Sequence, residues 1–211
     1  MTAVEERDGG RVAVFVDGRE AFTVRAAMLE RLGIEVGGSL PDEQLAGTER
    51  SPELAKARDA ALRLLGVRAR SARELRDRLH GKGFSDETSE QVLAGLERVG
   101  LVDDRAFARL WIEERVRLRP IGRRRAVSEL LAKGVGRRVA QAVADEVYAE
   151  HPQAELAARA LEPKLRAGRA ESPKRRRRRL EAFLLRRGFS YDVIATALRE
   201  AEEVSGSDQD G

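Results

Sequence analysis

The sequence predicts an all-α protein, an elongated tandem array of three three-helix repeats preceded by a small β-hairpin. Three observations predict it. Arg-rich, helix-like segments run three times into the same ending, a basic residue, a glycine and a large apolar residue: Lys82-Gly83-Phe84, Lys133-Gly134-Val135 and Arg187-Gly188-Phe189. The glycines lie 51 and 54 residues apart, a period that marks one small unit written three times. The 211 residues are 42% hydrophobic, 36% charged and only 4% aromatic, which suits amphipathic helices with wide solvated faces.

Residues 1–50 form an N-terminal extension. In it, RVAVFV and EAFTV flank Asp17-Gly18, so alternating apolar residues on either side of a turn dipeptide predict a β-hairpin over about 11–24. A short helix is expected around Ala26 to Leu32, a loop at Gly37-Gly38 and another short helix from Pro41 to Gly47. The first repeat spans 51–102. Ser51-Pro52 opens a helix to Val67 with Leu54, Ala57, Ala61, Leu62 and Leu65 on one side. Ser71 and Glu74 then have capping-box spacing, and Leu75 and Leu79 repeat at i, i+4. Gly83 is placed to end this helix in a left-handed conformation, with Phe84 folding back on the preceding turn. Ser85 caps a third helix striped by Val92, Leu93 and Leu96, which ends near Gly100.

The second repeat, 103–150, opens at Asp103-Asp104. Phe107, Leu110, Trp111 and Ile112 supply its apolar bulk, with Phe107 and Trp111 as core anchors, and Pro120 and Gly122 stop the helix. RRRAVSELLAKGV repeats the middle helix, and Val139, Val143 and Val147 stripe the third. The third repeat, 151–204, has a helix from Gln153 to Arg166, a loop at Gly168 to Ser172, a restart at Ser172-Pro173 and core positions from Val193 to Leu198. The final polar residues, from VSGSDQDG, read as a frayed end, with 205–211 a disordered tail.

The net charge of +4 hides an asymmetry. Residues 1–55 hold 6 basic and 11 acidic side chains, a charge of −5, leaving 34 against 25, or +9, for the repeats. Residues 163–187 alone carry 11 basic side chains against Glu171 and Glu181, an electrostatic footprint for phosphate or an acidic protein surface. There is no cysteine, no apolar stretch of bilayer length and no positively charged, then apolar, leader pattern. A cytoplasmic protein without a membrane partner is expected.

Catalytic chemistry finds little support. His80 and His151 have no second His or any Cys near them in sequence, which argues against a zinc site or triad. Asp103-Asp104 has two readings: metal-binding carboxylates of a nuclease, or helix caps, which the following apolar periodicity favours. The order of a nucleotide-binding glycine loop is absent. No cofactor, metal or enzymatic activity is expected. The repeated glycines are either helix terminators or the turns of DNA-reading helix-turn-helix modules. Termination is favoured, because Val139 to Val147 and Val193 to Leu198 look like core. Five consecutive arginines, Arg175 to Arg179, must point around a whole helix circumference, so some face outward and can touch phosphates or acidic protein.

The chain resembles the bacterial RecX regulators of the RecA recombinase. The resemblance rests on RARSARELRDRLHGKGF (68–84), VGLVDDRAFARLWIEER (99–115), GRRRAVSELLAKGV (122–135) and LEAFLLRRGFSYDVIATAL (180–198). The five-arginine run and the N-terminal extension are departures. The resemblance implies a curved array that binds RecA, lies in the groove of the RecA–DNA filament and limits ATPase, strand exchange and co-protease activity. A stand-alone DNA-binding protein is the alternative. On either reading the partner-binding residues are expected to be Arg68, Arg70, Arg73, Arg123, Arg124, Arg125, Lys133, Arg137, Arg138, Lys174, Arg175, Arg176, Arg177, Arg178, Arg179, Arg186 and Arg187. Gly83, Phe84, Phe107, Trp111, Gly134, Val135, Gly188 and Phe189 are expected to be structural, and the protein to be monomeric.

Overall fold

The computed structural model describes residues 2–7, 11–16, 19–25, 52–165 and 171–207. The chain divides into two compact units, Met1–Phe107 and Ala108–Gly211. The Asp17-Gly18 turn, the short helices expected within 26–47, the Ser51 cap and residues 166–170 and 208–211 lie outside the described residues.

In the first unit, β1 (Thr2–Arg7), β2 (Arg11–Val16) and β3 (Arg19–Arg25) form an antiparallel sheet in the order β1-β2-β3. The expected hairpin is β2–β3. Its ladder runs from Arg11↔Arg25 to Val16↔Arg19 and shifts between Val14↔Phe22 and Phe15↔Glu20, which leaves Ala21 as the extra residue of a bulge. β1, for which the sequence carries no strand pattern, pairs from Thr2↔Val16 to Arg7↔Arg11. β1 is an edge strand carrying Glu5, Glu6 and Arg7, so its own composition gives a weak strand signal and pairing with β2 decides its state. Val12 and Ala13, neighbours on the central strand, are both buried, so both faces of the sheet are covered there.

β3 runs beside α1 (Pro52–Val67), which packs with α2 (Ala72–His80) and α3 (Asp86–Arg98). Their core joins Ala57, Ala61, Leu62 and Leu65 of α1 to Leu75 and Leu79 of α2, Val92, Leu93 and Leu96 of α3, and then Leu101 and Val102, with Phe84 packed against it. Each buried leucine or valine contributes about 1.5–3 kcal/mol over leaving it exposed. Ser71 accepts a hydrogen bond from the Glu74 amide, and Ser85 from that of Thr88, so both expected caps are present.

Helix α4 (Asp104–Leu118) begins at the end of the first unit and continues into the second. There follow α5 (Arg123–Ala132), α6 (Arg137–Glu150), α7 (Gln153–Leu165), α8 (Pro173–Arg186) and α9 (Tyr191–Ser207). The nine helices among the described residues are thus three sets of three. On α4 the buried stripe is Phe107, Ala108, Ile112 and Val116. That helical phase turns Leu110 outward, 51% exposed, and leaves Trp111 half-buried, so neither is the core residue the sequence implied. On α6 the stripe is Ala140, Val143, Ala144, Val147 and Tyr148, with Val139 only half-buried. α9 buries Ile194, Ala197 and Leu198, and its backbone stays helical through Ser207, past the expected fraying point.

The three basic-glycine-apolar endings are the same structure. Gly83, Gly134 and Gly188 have φ of 89°, 85° and 84°. The following residue returns to the helix, with Phe84 N–H donating to Leu79 O, Val135 to Leu130 and Phe189 to Leu184. The glycine N–H groups donate to His80, Leu131 and Leu185. These paired bonds define a Schellman cap, which satisfies the last helical carbonyls. Gly100, with φ of 72°, closes α3 likewise.

A second repeated device sits at the opposite end of the middle helices. Asp104, the first residue of α4, accepts a hydrogen bond from the Ala72 N–H at the start of α2, at 2.9 Å. Gln153, the first residue of α7, accepts one from the Arg123 N–H at the start of α5, at 3.1 Å. In both cases the next repeat's first helix caps the preceding repeat's middle helix. Gly122 has no side chain to cap α5 itself, so Gln153 supplies the oxygen that Ser71 and Asp104 together give α2.

Candidate partner-binding surface

The expected partner-binding residues divide according to whether the fold already uses their charge. Arg70 is only 8% exposed; its Nε donates to Leu64 O at 3.2 Å and its Nη1 to Glu74 Oε1 at 2.7 Å. Burial, followed by the Arg68 charge, lowers its pKa, against the pull of Glu74. Arg70 is therefore a structural residue of the α1–α2 turn rather than a surface contact. Arg68 pairs with the same carboxylate.

Arg187 is also turned inward. Its Nη1 donates to Pro120 O at 2.9 Å and its guanidinium lies 4.9 Å from the Phe183 ring centroid. Burial, and then the charges of Arg125 and Arg119, lower its pKa. Arg125 Nη1 bonds Arg186 O at 3.0 Å and its Nε bonds Glu129 Oε1 at 2.9 Å, while the Gly122 N–H donates to Arg187 O at 2.8 Å. These bonds seat the start of α5 on the end of α8. The turn before α5 is held through the Ile121 carbonyl as well, by Tyr148 Oη, and Arg159 donates to the Arg117 carbonyl in the last turn of α4.

Lys133 and Trp111 form another internal set. The Lys133 ammonium is 4.0 Å and the Arg115 guanidinium 4.4 Å from the centroid of the indole ring. Arg115 also donates to Glu129 Oε2 at 3.0 Å. Trp111, expected as a core anchor, is instead an amphipathic platform for two cations. Arg123 pairs with Asp145 at 2.6 Å, and this hydrogen bond holds the Asp145 carboxyl below its usual range.

On α8, Leu180 and Leu184 face the core. Arg176 donates to Leu165 O, Arg177 to Glu202 and Arg179 to Glu171, so three of the five consecutive arginines bind their own unit. Lys174, Arg175, Arg178 and Arg186 are exposed and form no side-chain hydrogen bond or ion pair with the described residues. At about 100° per residue these four share one side of the helix, roughly opposite the leucines, and they span about 18 Å at 1.5 Å per residue. Arg124, Arg137 and Arg138 are likewise exposed and unpaired among the described residues, and Arg73 has only Asp77, at 4.0 Å.

Such unpaired guanidinia bind carboxylates or phosphates in a two-pronged geometry. A reactive constellation is not among the described residues: they hold no cluster of three metal-ligating side chains, His80 pairs with Asp86, and Asp103 caps α4 through the Arg105 and Ala106 amides. No described helix is long and apolar enough to cross a membrane. The fold and its surface define a helical-repeat protein whose helix α8 carries an exposed basic face.

Comparison with known proteins is specific. Family models described as the first, second and third three-helix domains of RecX match residues 57–96, 103–143 and 152–198. A regulatory protein RecX of Pelodictyon phaeoclathratiforme is 42% identical over 139 residues, covering 66% of this chain and 84% of the relative. Another, of Amycolatopsis mediterranei, is 38% identical over 165 residues, covering 76% and 92%. The crystal structure of RecX from Lactobacillus salivarius has the same fold, with a TM-score of 0.64 at 23% identity over 71% of this chain and 97% of that one. The chain belongs to the RecX family of regulatory proteins.

Proposed function

We propose that this chain is a negative regulator of a RecA recombinase: it binds RecA and the groove of the RecA–DNA filament and limits ATPase, strand-exchange and co-protease activity. It acts as a monomer in the cytoplasm, in recombination, repair and the SOS response, with no catalysis or cofactor of its own. The observation that carries this reading is a RecX-type repeat array whose outward cations on α8 have no partner within the described fold. A filament supplies acidic protein surface and phosphate together, and both attract this face.

The test uses RecA's DNA-dependent ATPase. Replacing Lys174, Arg175, Arg178 and Arg186 with serine removes the outward charges and spares the pairs of Arg176, Arg177 and Arg179. Inhibition should weaken and become less sensitive to salt; unchanged inhibition removes this face from the mechanism. No effect of the unaltered protein on RecA overturns the reading itself. The same α8 spacing would also serve direct DNA binding, and gel shifts on random duplexes separate that case: a sequence-reading repressor must show an affinity gap between sequences.

A further inference from the structure

Two features outside the basic α8 face recur in register. Val67, at the end of α1, is 77% exposed, and Leu118, at the end of α4, is 60% exposed. They are 51 residues apart, the spacing of Gly83 and Gly134. The same offset relates buried positions of the two helices: Ala57 to Ala108, Ala61 to Ile112, and Leu65 to Val116. The frame that buries three equivalent residues therefore presents a large aliphatic side chain to solvent at a fourth. One exposed aliphatic residue is ordinary. Recurrence at an equivalent site is a patterned feature.

Each aliphatic residue is followed six positions later by an exposed arginine at the second position of the next helix. Arg73 follows Val67 and Arg124 follows Leu118. Arg73 is 61% exposed with only a 4.0 Å contact to Asp77, and Arg124 pairs with none of the described residues. In the third repeat the position 54 residues beyond Arg124 is Arg178, the sixth residue of α8 and part of the basic face already described, and Ser172 stands 54 residues beyond Leu118, so the pair is confined to the first two repeats.

We propose that Val67 with Arg73, and Leu118 with Arg124, are two copies of one docking element for an acidic protein surface that itself recurs, each copy engaging an equivalent patch on the partner. This rests on the regulator reading above and specifies the partner chemistry of a second surface. The aliphatic member decides between protein and nucleic acid: it gains by burial in an apolar pocket and offers nothing to a phosphate. The arginine requires a carboxylate beside that pocket. Equivalent elements match equivalent subunits, so the second contact is made at high effective concentration.

The test measures binding of the full-length chain to RecA assembled on oligo(dT), and to oligo(dT) alone, with helix content monitored by circular dichroism. V67S/R73S and L118S/R124S should each weaken filament binding by a similar factor, roughly tenfold, and the quadruple variant by much more than either. V67S/L118S should lower affinity without changing its salt dependence, whereas R73S/R124S should reduce that dependence. Binding to bare oligo(dT) should not change. Full filament affinity in the quadruple variant, alongside loss in the α8 variant, overturns the docking element and leaves the regulator reading intact. Equal losses on bare oligo(dT) overturn it in favour of nucleic acid, and failure of the unaltered protein to bind the filament sinks both.

Discussion

Alanine at three glycines separates two costs that usually come together. Gly83 has φ of 89° and a Cβ there meets nothing within 4 Å, so G83A incurs only the left-handed penalty of about 1–2 kcal/mol. Gly122 has an ordinary φ of −77°, but its Cβ would run into the Gly188 carbonyl group and the Phe189 nitrogen, so G122A incurs only a clash of about 1–3 kcal/mol. Gly188 combines a φ of 84° with a Cβ placed 2.6 Å from the Arg125 nitrogen and 3.0 Å from its Cα. Because backbone cannot rotate away, the two costs add to about 2–5 kcal/mol. With an m-value of about 2 kcal/mol per M, G188A should move the urea midpoint of its unit down by about 1–2.5 M, against about 0.5–1 M for G83A in its own. Trp111, the chain's one tryptophan, reports on residues 108–211 by fluorescence, and circular dichroism follows both units. A G188A midpoint shift no larger than that of G83A would refute the close approach of α5 to the end of α8.

Two further outcomes follow from caps and charge. Removing the capping oxygen by D104A should destabilise the first unit by about 0.5–2 kcal/mol, through loss of the Ala72 bond on α2, whereas D104N, which keeps an acceptor oxygen, should cost less; equal losses would rule out the cap. Burial raises the Glu129 carboxyl, but the hydrogen bond from Arg125 and the charges of Arg115 and Arg125 outweigh it and hold the group below the usual carboxylate range. A depressed carboxylate stabilises the fold fully above its unfolded value and loses that contribution as pH falls through the folded one. Wild type should therefore be more stable than E129Q at pH 7 and converge with it as pH falls from the usual carboxylate range through the lowered folded value, measured by urea midpoints from Trp111 fluorescence. A gap that stays constant as the carboxylate is protonated would mean that its ionisation contributes nothing.

Much of the fold can be read from the sequence because its signals are local. A serine three residues ahead of a first-turn amide, leucines at i, i+4 and a glycine before an apolar residue each act within one or two turns, and the chain writes the last of these three times. The hairpin around Asp17-Gly18 was legible for the same reason. β1 was not, because an edge strand of mixed charge takes its state from its neighbour. Nor was the phase of α4: five apolar residues at 107–112 allowed more than one stripe, and only packing selected Phe107, Ala108, Ile112 and Val116.

The candidate surface shows the same division. The order and spacing of residues along the chain were enough to predict a basic repeat array whose middle helices end at left-handed glycines, and its motifs carry the resemblance to RecX regulators. Which arginines remain available was decided by tertiary structure, because an ion pair depends on what another segment brings within about 4 Å. Arg70 and Arg187 are absorbed by carbonyls and carboxylates from neighbouring turns, while Arg175 and Arg178, from the same run as Arg177, stay outside. Asp103 and Asp104 make the point at its smallest scale. Their identity predicted capping, but only the fold placed Asp104 on the helix of the preceding repeat, since a cap across 32 residues is made by packing and not by local sequence.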